Sequence, residues 1–396
     1  MQFRTLIMTA PLALSALALV SCDGDSTPAD RVEPSFVYVE LLEDEVGTAE
    51  VPLPFSSEVA ELQVRVTTLD INGDPYTSFN GDLTLEIRPG DVEQDPKVEL
   101  VDGKFEGPVS VKNGFGPTRV WFSDLGDKDV DSGRTASFAT GVSDPIHYSL
   151  PTVGEMNRHH DHETNQLDGE FAELRAEDRD MRISNVGANG YWLLDLMDEP
   201  GSHASLFVYT FSAPDDSVEL GRRLTLLTGN NQEYLATTQL SFPHYEISDE
   251  PAVQMPAPAV LDWDWCGDDD TLEGYEGAVV RVESAQIPTT FVEGTEEYED
   301  YIGYGQWPIV EQDGSGDCSF FVENGTTVPD FFPTDHVGEP MDYVQGMLTE
   351  IWGTWILLIR DGDDIPPSIY SGSSAGDNAS ARRIHRPVPR HRPASK

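Results

Sequence analysis

Turn-forming residues are spread along the whole chain and constrain its fold more than any other feature of the sequence. The 396 residues include 34 glycines and 28 prolines, together about one residue in six. Between these turn residues lie short stretches in which apolar and polar side chains alternate, as in β-strands with one buried face. The chain is therefore expected to be mainly β, and its length allows several domains.

The charge balance limits the partners of this chain. Its formal net charge is −47 at pH 7, and only five of the 24 basic residues are lysines. Such a surface repels phosphates, which argues against a generic nucleic-acid binder. An acidic surface with little lysine suits high salt, where self-repulsion is screened. We therefore favour a saline habitat, and an acidic secreted protein is the alternative.

The first 21 residues have the pattern of an export signal. Arg4 precedes an apolar stretch over residues 6–20, and small residues follow. The segment Leu19-Val20-Ser21-Cys22 resembles the lipobox of bacterial lipoproteins. The resemblance implies cleavage before Cys22 and acylation of its thiol and its new amino group, because several acyl chains together give a stable anchor. Ordinary secretion, with cleavage after residues 16–18, is the alternative.

The lipoprotein resemblance also implies a location. The protein would be exported and held at the bacterial cell envelope by the membrane-inserted lipid on Cys22. We favour the outer membrane or the cell surface over the inner membrane. Residues 22–34 are rich in serine, aspartate and proline, which is typical of a flexible tether.

The two remaining cysteines, Cys266 and Cys318, are a candidate pair. Disulfides persist in the oxidising compartments outside the cytoplasm, so we predict a bridge between them. Two buried free thiols are the alternative. A zinc site is not expected, because no paired histidines lie near these cysteines in the sequence.

Residues 35–143 have the pattern of a β-sandwich. Turn signals such as Asp102-Gly103 and Asn113-Gly114 separate stretches with apolar residues on one face. At residues 70–75 and 113–121, which hold Asp-Ile-Asn-Gly-Asp-Pro and Asn-Gly-Phe-Gly-Pro-Thr-Arg-Val-Trp, the segment resembles bacterial immunoglobulin-like domains. The resemblance implies an immunoglobulin-like sandwich. The predicted one-faced sets are Leu62, Val64 and Val66; Leu83, Leu85 and Ile87; and Val109 and Val111.

Two later segments, 144–250 and 261–366, lie on either side of a proline-rich linker at 251–260. They share landmarks at similar spacings, which suggests a weak internal duplication. The second copy carries an insertion that holds Cys318. The shared landmarks are Leu167-Asp-Gly169 with Leu272-Glu-Gly274, and Gly221 and Gly229 with Gly338 and Gly346.

Both copies contain apolar segments bounded by glycine turns, at 189–195, 221–229, 234–240, 272–282 and 355–365. In these segments they resemble the small OB-like barrels found beside extracellular nuclease domains and in bacterial surface lipoproteins. The resemblance implies two five-stranded barrels of a type that binds oligonucleotides or oligosaccharides. The nuclease catalytic domain that accompanies such barrels elsewhere has no counterpart in this sequence.

A histidine-rich segment is the first candidate metal site. Imidazoles at His159, His160 and His162 could bind a transition metal at the surface. A closed site needs further ligands at a suitable spacing, and the sequence does not supply them. We prefer a solvated polar loop.

An aspartate-rich segment is the second candidate, and calcium is the only cofactor that the sequence suggests. Asp127, Asp129 and Asp131 match positions one, three and five of a calcium loop. The glycine comes one place late, however, and Phe138 stands at position twelve instead of glutamate. We prefer a hydrated acidic turn to a weak calcium site.

The C-terminal residues 367–396 form a basic tail without apolar periodicity, so we expect them to be disordered. The tail could bind the acidic body or anionic lipopolysaccharide, and a misassigned reading frame is the other explanation. Residues 372–376 match the serine-hydrolase nucleophile string Gly-x-Ser-x-Gly. The buried strand and the helix that hold such a serine are missing from the flanking sequence, so the match carries no catalytic expectation.

The sequence favours a non-catalytic envelope protein with a structural, binding or adhesion role. A glycan or a protein is the expected ligand, and nucleic acid is disfavoured by the charge. A metal-dependent hydrolase that uses the histidine cluster is a third hypothesis. An exposed aromatic row on either barrel would favour binding, although we expect core packing for most of the tryptophans. The tryptophans of the second copy are Trp263, Trp265, Trp307, Trp352 and Trp355.

Overall fold

The structure is a computed structural model that describes residues 34–42, 47–55, 58–126, 135–158, 165–177, 179–312, 318–325 and 327–370. Across these residues the protein is mainly β, as the distribution of turn residues predicts. The predicted export signal, the lipid site and the basic tail beyond residue 370 lie outside the described residues.

The first nine strands form two sheets that share one core. One sheet has the order β1-β2-β6-β4 and the other β5-β3-β7-β8, and β9 also pairs with β7. All three predicted one-faced sets of apolar residues are buried in this core. β9 lies beyond the predicted boundary at residue 143. The strands are β1 (Pro34–Leu41), β2 (Ala60–Asp70), β3 (Gly81–Arg88), β4 (Asp91–Val92), β5 (Lys97–Leu100), β6 (Lys104–Lys112), β7 (Gly116–Ser123), β8 (Gly141–Val142) and β9 (Ile146–Tyr148).

The next six strands contain a five-membered ring that we call barrel 1. The ring order is β11-β12-β13-β15-β14, in which β13 and β15 are parallel and the other neighbours antiparallel. β11 returns to β14 through the bridge between Arg182 and Arg223. The elements are α1 (Val153–Asn157), β10 (Phe171–Arg175), β11 (Met181–Val186), β12 (Gly190–Asp195), β13 (Ser205–Tyr209), β14 (Leu224–Tyr234) and β15 (Thr237–Ile247).

The last six strands contain a closed five-stranded barrel, barrel 2. Its ring order is β17-β18-β19-β21-β20, with β20 paired back to β17 from Val279↔Met347 to Gln286↔Pro340. β19 and β21 are parallel, so barrel 2 repeats the strand order of barrel 1. The elements are β16 (Ala259–Leu261), α2 (Asp269–Glu273), β17 (Val279–Gln286), α3 (Glu296–Tyr304), β18 (Gln306–Glu311), β19 (Phe320–Glu323), β20 (Pro340–Glu350) and β21 (Trp355–Leu358).

The glycine landmarks of the suggested duplication occupy equivalent places in the two barrels. Gly221 and Gly338 precede β14 and β20 with φ of +79° and +76°, a conformation that glycine adopts without strain. Gly229 and Gly346 lie within those strands, where the chain crosses close to the next strand. A Cβ atom on them would lie 2.7 Å from the Ser241 carbonyl oxygen and 2.6 Å from the Leu358 carbonyl oxygen.

The predicted disulfide is present in barrel 2. Cys266 and Cys318 are bonded, with Cα atoms 6.0 Å apart, across a sequence separation of 52 residues. Cys266 packs against the barrel 2 core. The bridge therefore ties the segment before α2 to the chain that leads into β19.

Four of the five tryptophans of barrel 2 belong to its core or pack against it. Trp307 and Trp355 are buried, and Trp263 and Trp265 are half-buried against the same core. Trp352 is exposed on the turn between β20 and β21. Core packing for most of these residues is therefore confirmed, and they do not form an exposed stacking platform.

Candidate functional site

The candidate ligands singled out in the sequence fall outside the part of the chain that the structure describes. They are the predicted lipid attachment residue and the members of both candidate metal clusters. These residues are Cys22; His159, His160 and His162; and Asp127, Asp129 and Asp131. Among the described residues, no group of three or more His, Cys, Asp or Glu side chains is arranged to hold a metal ion.

Barrel 1 and barrel 2 pack against each other through outward-facing apolar side chains. Trp192 on β12 and Phe207 on β13 form one side of this contact and are buried in it. Met347 on β20 and Ile356 and Leu358 on β21 form the other side. We call this contact the barrel junction.

Two equivalent hairpins meet at the barrel junction. Leu235 and Ala236 connect β14 to β15, and Trp352 and Gly353 connect β20 to β21; all four residues have positive φ. Two-residue hairpin turns with this conformation usually contain asparagine and glycine, because other residues are strained there. The Trp352 backbone N–H donates to the Leu235 carbonyl oxygen at 3.1 Å, and this hydrogen bond joins the two turns.

An aromatic row begins inside the barrel junction and continues onto the surface of barrel 1. It consists of Trp192, Phe207, Tyr209, Phe211 and Phe242. Successive ring centroids lie 4.6, 6.3, 4.5 and 4.8 Å apart. The first two rings are buried, whereas Phe211 and Phe242 are 53% and 67% exposed. The surface end of the row is thus a pair of exposed phenyl rings in contact.

The backbone at the exposed end of the aromatic row is strained. Phe211 has a φ of +63° and Phe242 a φ of +52°. For bulky residues this left-handed region costs about 1–2 kcal/mol each. Strained residues concentrate at functional sites, where the strain fixes a side chain in a required position. Phe211 and Phe242 therefore combine exposed, contacting rings with strained backbone, and they are not part of the barrel 1 core.

A line of paired residues that includes the buried Ser241 and the half-buried Asn230 runs next to the aromatic row. Tyr209 pairs with Ser241, Ser241 with Asn230, and Asn230 with Phe171, so these four residues lie in one line across β13, β15, β14 and β10. Three strand spacings of about 4.8 Å make the line about 14 Å long. The Asn230 side-chain amide donates to Gln232 Oε1 at 3.3 Å. Phe171, at the far end, is 61% exposed.

A group of four carboxyls, the carboxyl cluster, lies at the other side of the barrel junction; three are buried and Glu233 is half-buried. Its members are Glu233 on β14, Glu273 at the end of α2, Glu276 in the following turn and Glu350 at the end of β20. Burial, together with the neighbouring charges of Glu276 and Glu350, raises the pKa of Glu273 to about 10. Burial raises the pKa of Glu276 as well, and the charge of Glu233 adds to this effect.

The sequence contained a signal for the aromatic row that our interpretation did not use. Phe207, Tyr209 and Phe211 occupy alternate positions, which places their side chains on one face of a strand. The neighbouring valine, Val208, is buried in the core of barrel 1, so the three aromatic rings face outward. The tryptophans of barrel 2 are more numerous, but the alternation in barrel 1 is the better indicator of an exposed aromatic row.

Comparisons with protein-family profiles, with curated proteins and with solved structures find no match for this chain. Within the described residues, no helix has both the length and the apolar character needed to cross a membrane.

Proposed function

We propose that this chain is a non-catalytic lipoprotein of the bacterial cell envelope that binds polysaccharide on the surface of barrel 1. The observation that carries this proposal is the exposed pair Phe211 and Phe242, whose rings contact each other at a tilt of 45° and are held at positive φ beside the line of residues that contains Asn230. Sugar rings present flat faces of C–H groups, which pack on aromatic rings, and hydroxyls at their edges. Asn230 and Gln232 supply amide groups that can bind such hydroxyls.

The strand order of the two barrels supports their assignment to the OB-like class. Numbered within each barrel, the ring order is one, two, three, five, four, with strands three and five parallel. OB folds bind oligosaccharides and oligonucleotides on the face of strands two and three. In barrel 1 these are β12 and β13, the strands that carry Trp192, Phe207 and Tyr209. Function by this analogy is a proposal, because a fold alone does not determine a ligand.

Polysaccharide is preferred to nucleic acid on electrostatic grounds. Bases also stack on aromatic side chains, with a gain of about 1–3 kcal/mol per base. Tight binding of a nucleic acid also requires cations that neutralise phosphates. The chain carries 71 acidic residues against 24 basic ones, so its long-range field repels a polyanion. A neutral polysaccharide does not meet this barrier.

The envelope part of the proposal rests on the sequence. The lipobox-like segment would place acyl chains on Cys22, and the double-sheet domain of β1–β9 would act as an immunoglobulin-like spacer between the membrane and the barrels. Replacing Cys22 with serine should release the protein from the membrane fraction of the native host into the soluble fraction. Equal membrane retention of Cys22→Ser and wild type would contradict the lipid anchor.

The binding proposal can be tested by co-sedimentation with insoluble neutral polysaccharides, for which cellulose and chitin are suitable probes. We expect wild type to sediment with at least one of them and the double variant Phe211→Ala/Phe242→Ala to stay in solution. Phe332→Ala is the matched control, because Phe332 is an exposed phenylalanine of barrel 2, outside the aromatic row. Single-stranded DNA is the competing probe. Binding to DNA alone, or equal sedimentation of all variants, would contradict the proposal.

A further inference from the structure

The carboxyl cluster is assembled from both barrels at equivalent positions. Glu233 and Glu350 each lie four residues after the landmark glycine of their strand, and each is two residues before a hairpin turn. Asp168 and Glu273 are likewise equivalent, at the centre of the shared Leu-Asp/Glu-Gly landmark. Asp168 accepts a hydrogen bond from the Glu233 backbone N–H at 2.7 Å, whereas Glu273 lies close enough to Glu350 for the charge of Glu350 to raise its pKa. Only the second arrangement brings two buried carboxyls together.

Two ionised carboxylates that lie close together repel each other, and neither offers a hydrogen-bond donor to the other. Glu273 and Glu350 are both buried, so water does not screen their charges. Burial and the neighbouring charges therefore favour a proton on Glu273 when the barrel junction is closed.

The surroundings of Glu276, in barrel 2, also favour a protonated carboxyl. It is 2% exposed, and its Oε2 accepts from the Thr238 backbone N–H of barrel 1 at 3.1 Å. Its Oε1 has no hydrogen-bond partner in the structure. An ionised carboxylate with one unsatisfied, buried oxygen costs several kcal/mol, whereas the protonated acid costs much less.

The groups packed around the cluster come from five elements and are mainly polar or acidic. Asn157 at the end of α1 and Ser205 at the start of β13 lie beside Glu276, and both are buried. Among the described residues, the side-chain amide of Asn157 and the hydroxyl of Ser205 have no hydrogen-bond partner. Thr238 of β15 donates to Glu233 at 3.0 Å. The other groups around the cluster are Thr237, Asp168, Asp269 and His203. Thr237 bonds to the Thr349 hydroxyl and to the Glu350 carbonyl oxygen. Asp168 accepts from the Glu233 backbone, Asp269 accepts from the Trp355 indole, and the His203 backbone N–H donates to the Gly274 carbonyl oxygen.

A narrow gap in the barrel junction connects the carboxyl cluster to the aromatic row. Glu276, Thr238 and Thr349 line this gap together with Trp192 and Phe207, and it leaves no room for a water molecule. A new charge on Glu276 could be hydrated only if the two barrels moved apart.

We propose that the barrel junction is locked by protons on the carboxyl cluster, and that it opens when these protons are lost at alkaline pH. Opening hydrates Glu276 and uncovers Trp192 and Phe207, which lengthens the exposed part of the aromatic row. The lock does not depend on the identity of any ligand.

The direction of the pH effect follows from proton linkage. The folded chain binds more protons at the cluster than the unfolded chain between the pKa of an ordinary glutamate, about 4.3, and the raised pKa of Glu273, about 10. Stability from the cluster is therefore complete at acidic pH and decreases as the pH rises. An ion-paired carboxylate would give the opposite direction.

Thermal unfolding of the full chain at pH 6, 7.5 and 9 tests the lock. We expect the wild-type Tm to fall by about 5 °C or more across this range. Glu276→Gln, which is neutral at every pH and similar in shape, should flatten this fall and exceed wild type at pH 9. Glu283→Gln, an exposed glutamate of β17, is the matched control and should follow wild type. Parallel curves for Glu276→Gln and wild type would overturn the proposal.

Hydrogen exchange of the wild-type chain provides a test without any substitution. After correction for the intrinsic exchange rate, the amides of Thr238 and Trp352, which bond across the barrel junction, should lose protection at pH 9 relative to pH 6. The amide of Val64, within β2 and remote from the junction, should keep its protection. Unchanged protection of all three amides would also overturn the lock.

Discussion

The two barrels share one strand order but close their rings in different ways. In barrel 2, β17 and β20 pair along most of their length, and a disulfide reinforces the loops around the ring. In barrel 1, β11 meets the start of β14 over a short contact, made by the bridge between Arg182 and Arg223 and by backbone hydrogen bonds of Ile183 to Gly221 and Arg222; no cysteine contributes. The same topology is thus held by long strand pairing in one copy and by a short contact in the other.

This difference has a counterpart in how the two barrels use their aromatic residues. Barrel 2 places Trp307, Phe320 and Trp355 in its core, where they stabilise the fold. Barrel 1 carries an outward-facing aromatic row that ends in two exposed phenyl rings, and the backbone that carries these rings is strained. We infer that barrel 2 is the more stable support and that barrel 1 presents the binding surface. Substitutions in either barrel can test this division.

Removal of the disulfide should have the largest effect. In the loop-entropy model, a bridge across about 52 residues restricts the unfolded chain enough to stabilise the fold by about 4 kcal/mol. Cys266→Ser/Cys318→Ser should therefore lose about this much free energy of unfolding in a urea titration, mainly in the transition of barrel 2. A loss below about 1 kcal/mol would show that the long β17–β20 pairing alone supports barrel 2.

Alanine at the landmark glycines should be the next most damaging change. In Gly346→Ala, the new Cβ would lie 2.6 Å from the Leu358 carbonyl oxygen, so the backbone of β20 or β21 must shift. We expect a loss of about 2–3 kcal/mol in the free energy of unfolding, measured in the same urea titration. Gly229→Ala should cost about as much, since its nearest backbone oxygen lies 2.7 Å away.

Gly303→Ala in α3 is the matched control for both glycine variants. Among the described residues outside this helical turn, no atom lies within 4 Å of the position that the alanine methyl group would take, and the backbone there is helical, so a small gain in stability is expected. If Gly229→Ala proved neutral like the control, the two barrels would not cross their strands in the equivalent way.

The smallest effects are expected at the hairpin turns. Replacing Leu235-Ala236 with Asn-Gly should stabilise barrel 1 by about 1 kcal/mol, because these residues tolerate positive φ. Trp352→Asn should gain less in barrel 2, where Gly353 already occupies the second position. Urea unfolding measures both changes. A loss of stability in the Leu235→Asn/Ala236→Gly variant would mean that the Leu235 side chain contributes more than its backbone strain costs.

Local patterns predicted much of the fold of this protein. Alternation identified the core-facing positions of β2, β3 and β6, and the redox argument for exported proteins identified the disulfide. The glycine landmarks that suggested a duplication occupy places where two strands cross closely in both barrels. The tight turn between β14 and β15 could not be predicted, since Leu235-Ala236 does not have the chemistry of such a turn. Contact with Trp352 stabilises that turn, and sequence patterns do not reveal such a contact.

The candidate site was harder to predict for the same reason. The alternation of Phe207, Tyr209 and Phe211 indicates a shared face, but the contact between the Phe211 and Phe242 rings depends on the parallel pairing of β13 with β15. Glutamates are usually exposed, so nothing in the local sequence marks Glu273 and Glu276 as buried. Their burial results from the packing of one barrel on the other.

The claim that barrel 1 presents the binding surface is tested most directly by calorimetric titration. The full chain would be titrated with a soluble oligosaccharide from the polysaccharide that it sediments with. We expect Phe211→Ala/Phe242→Ala to bind at least about tenfold more weakly than wild type, and Phe332→Ala to bind as wild type does. Wild-type affinity in the double variant, or an equal loss in Phe332→Ala, would contradict the account.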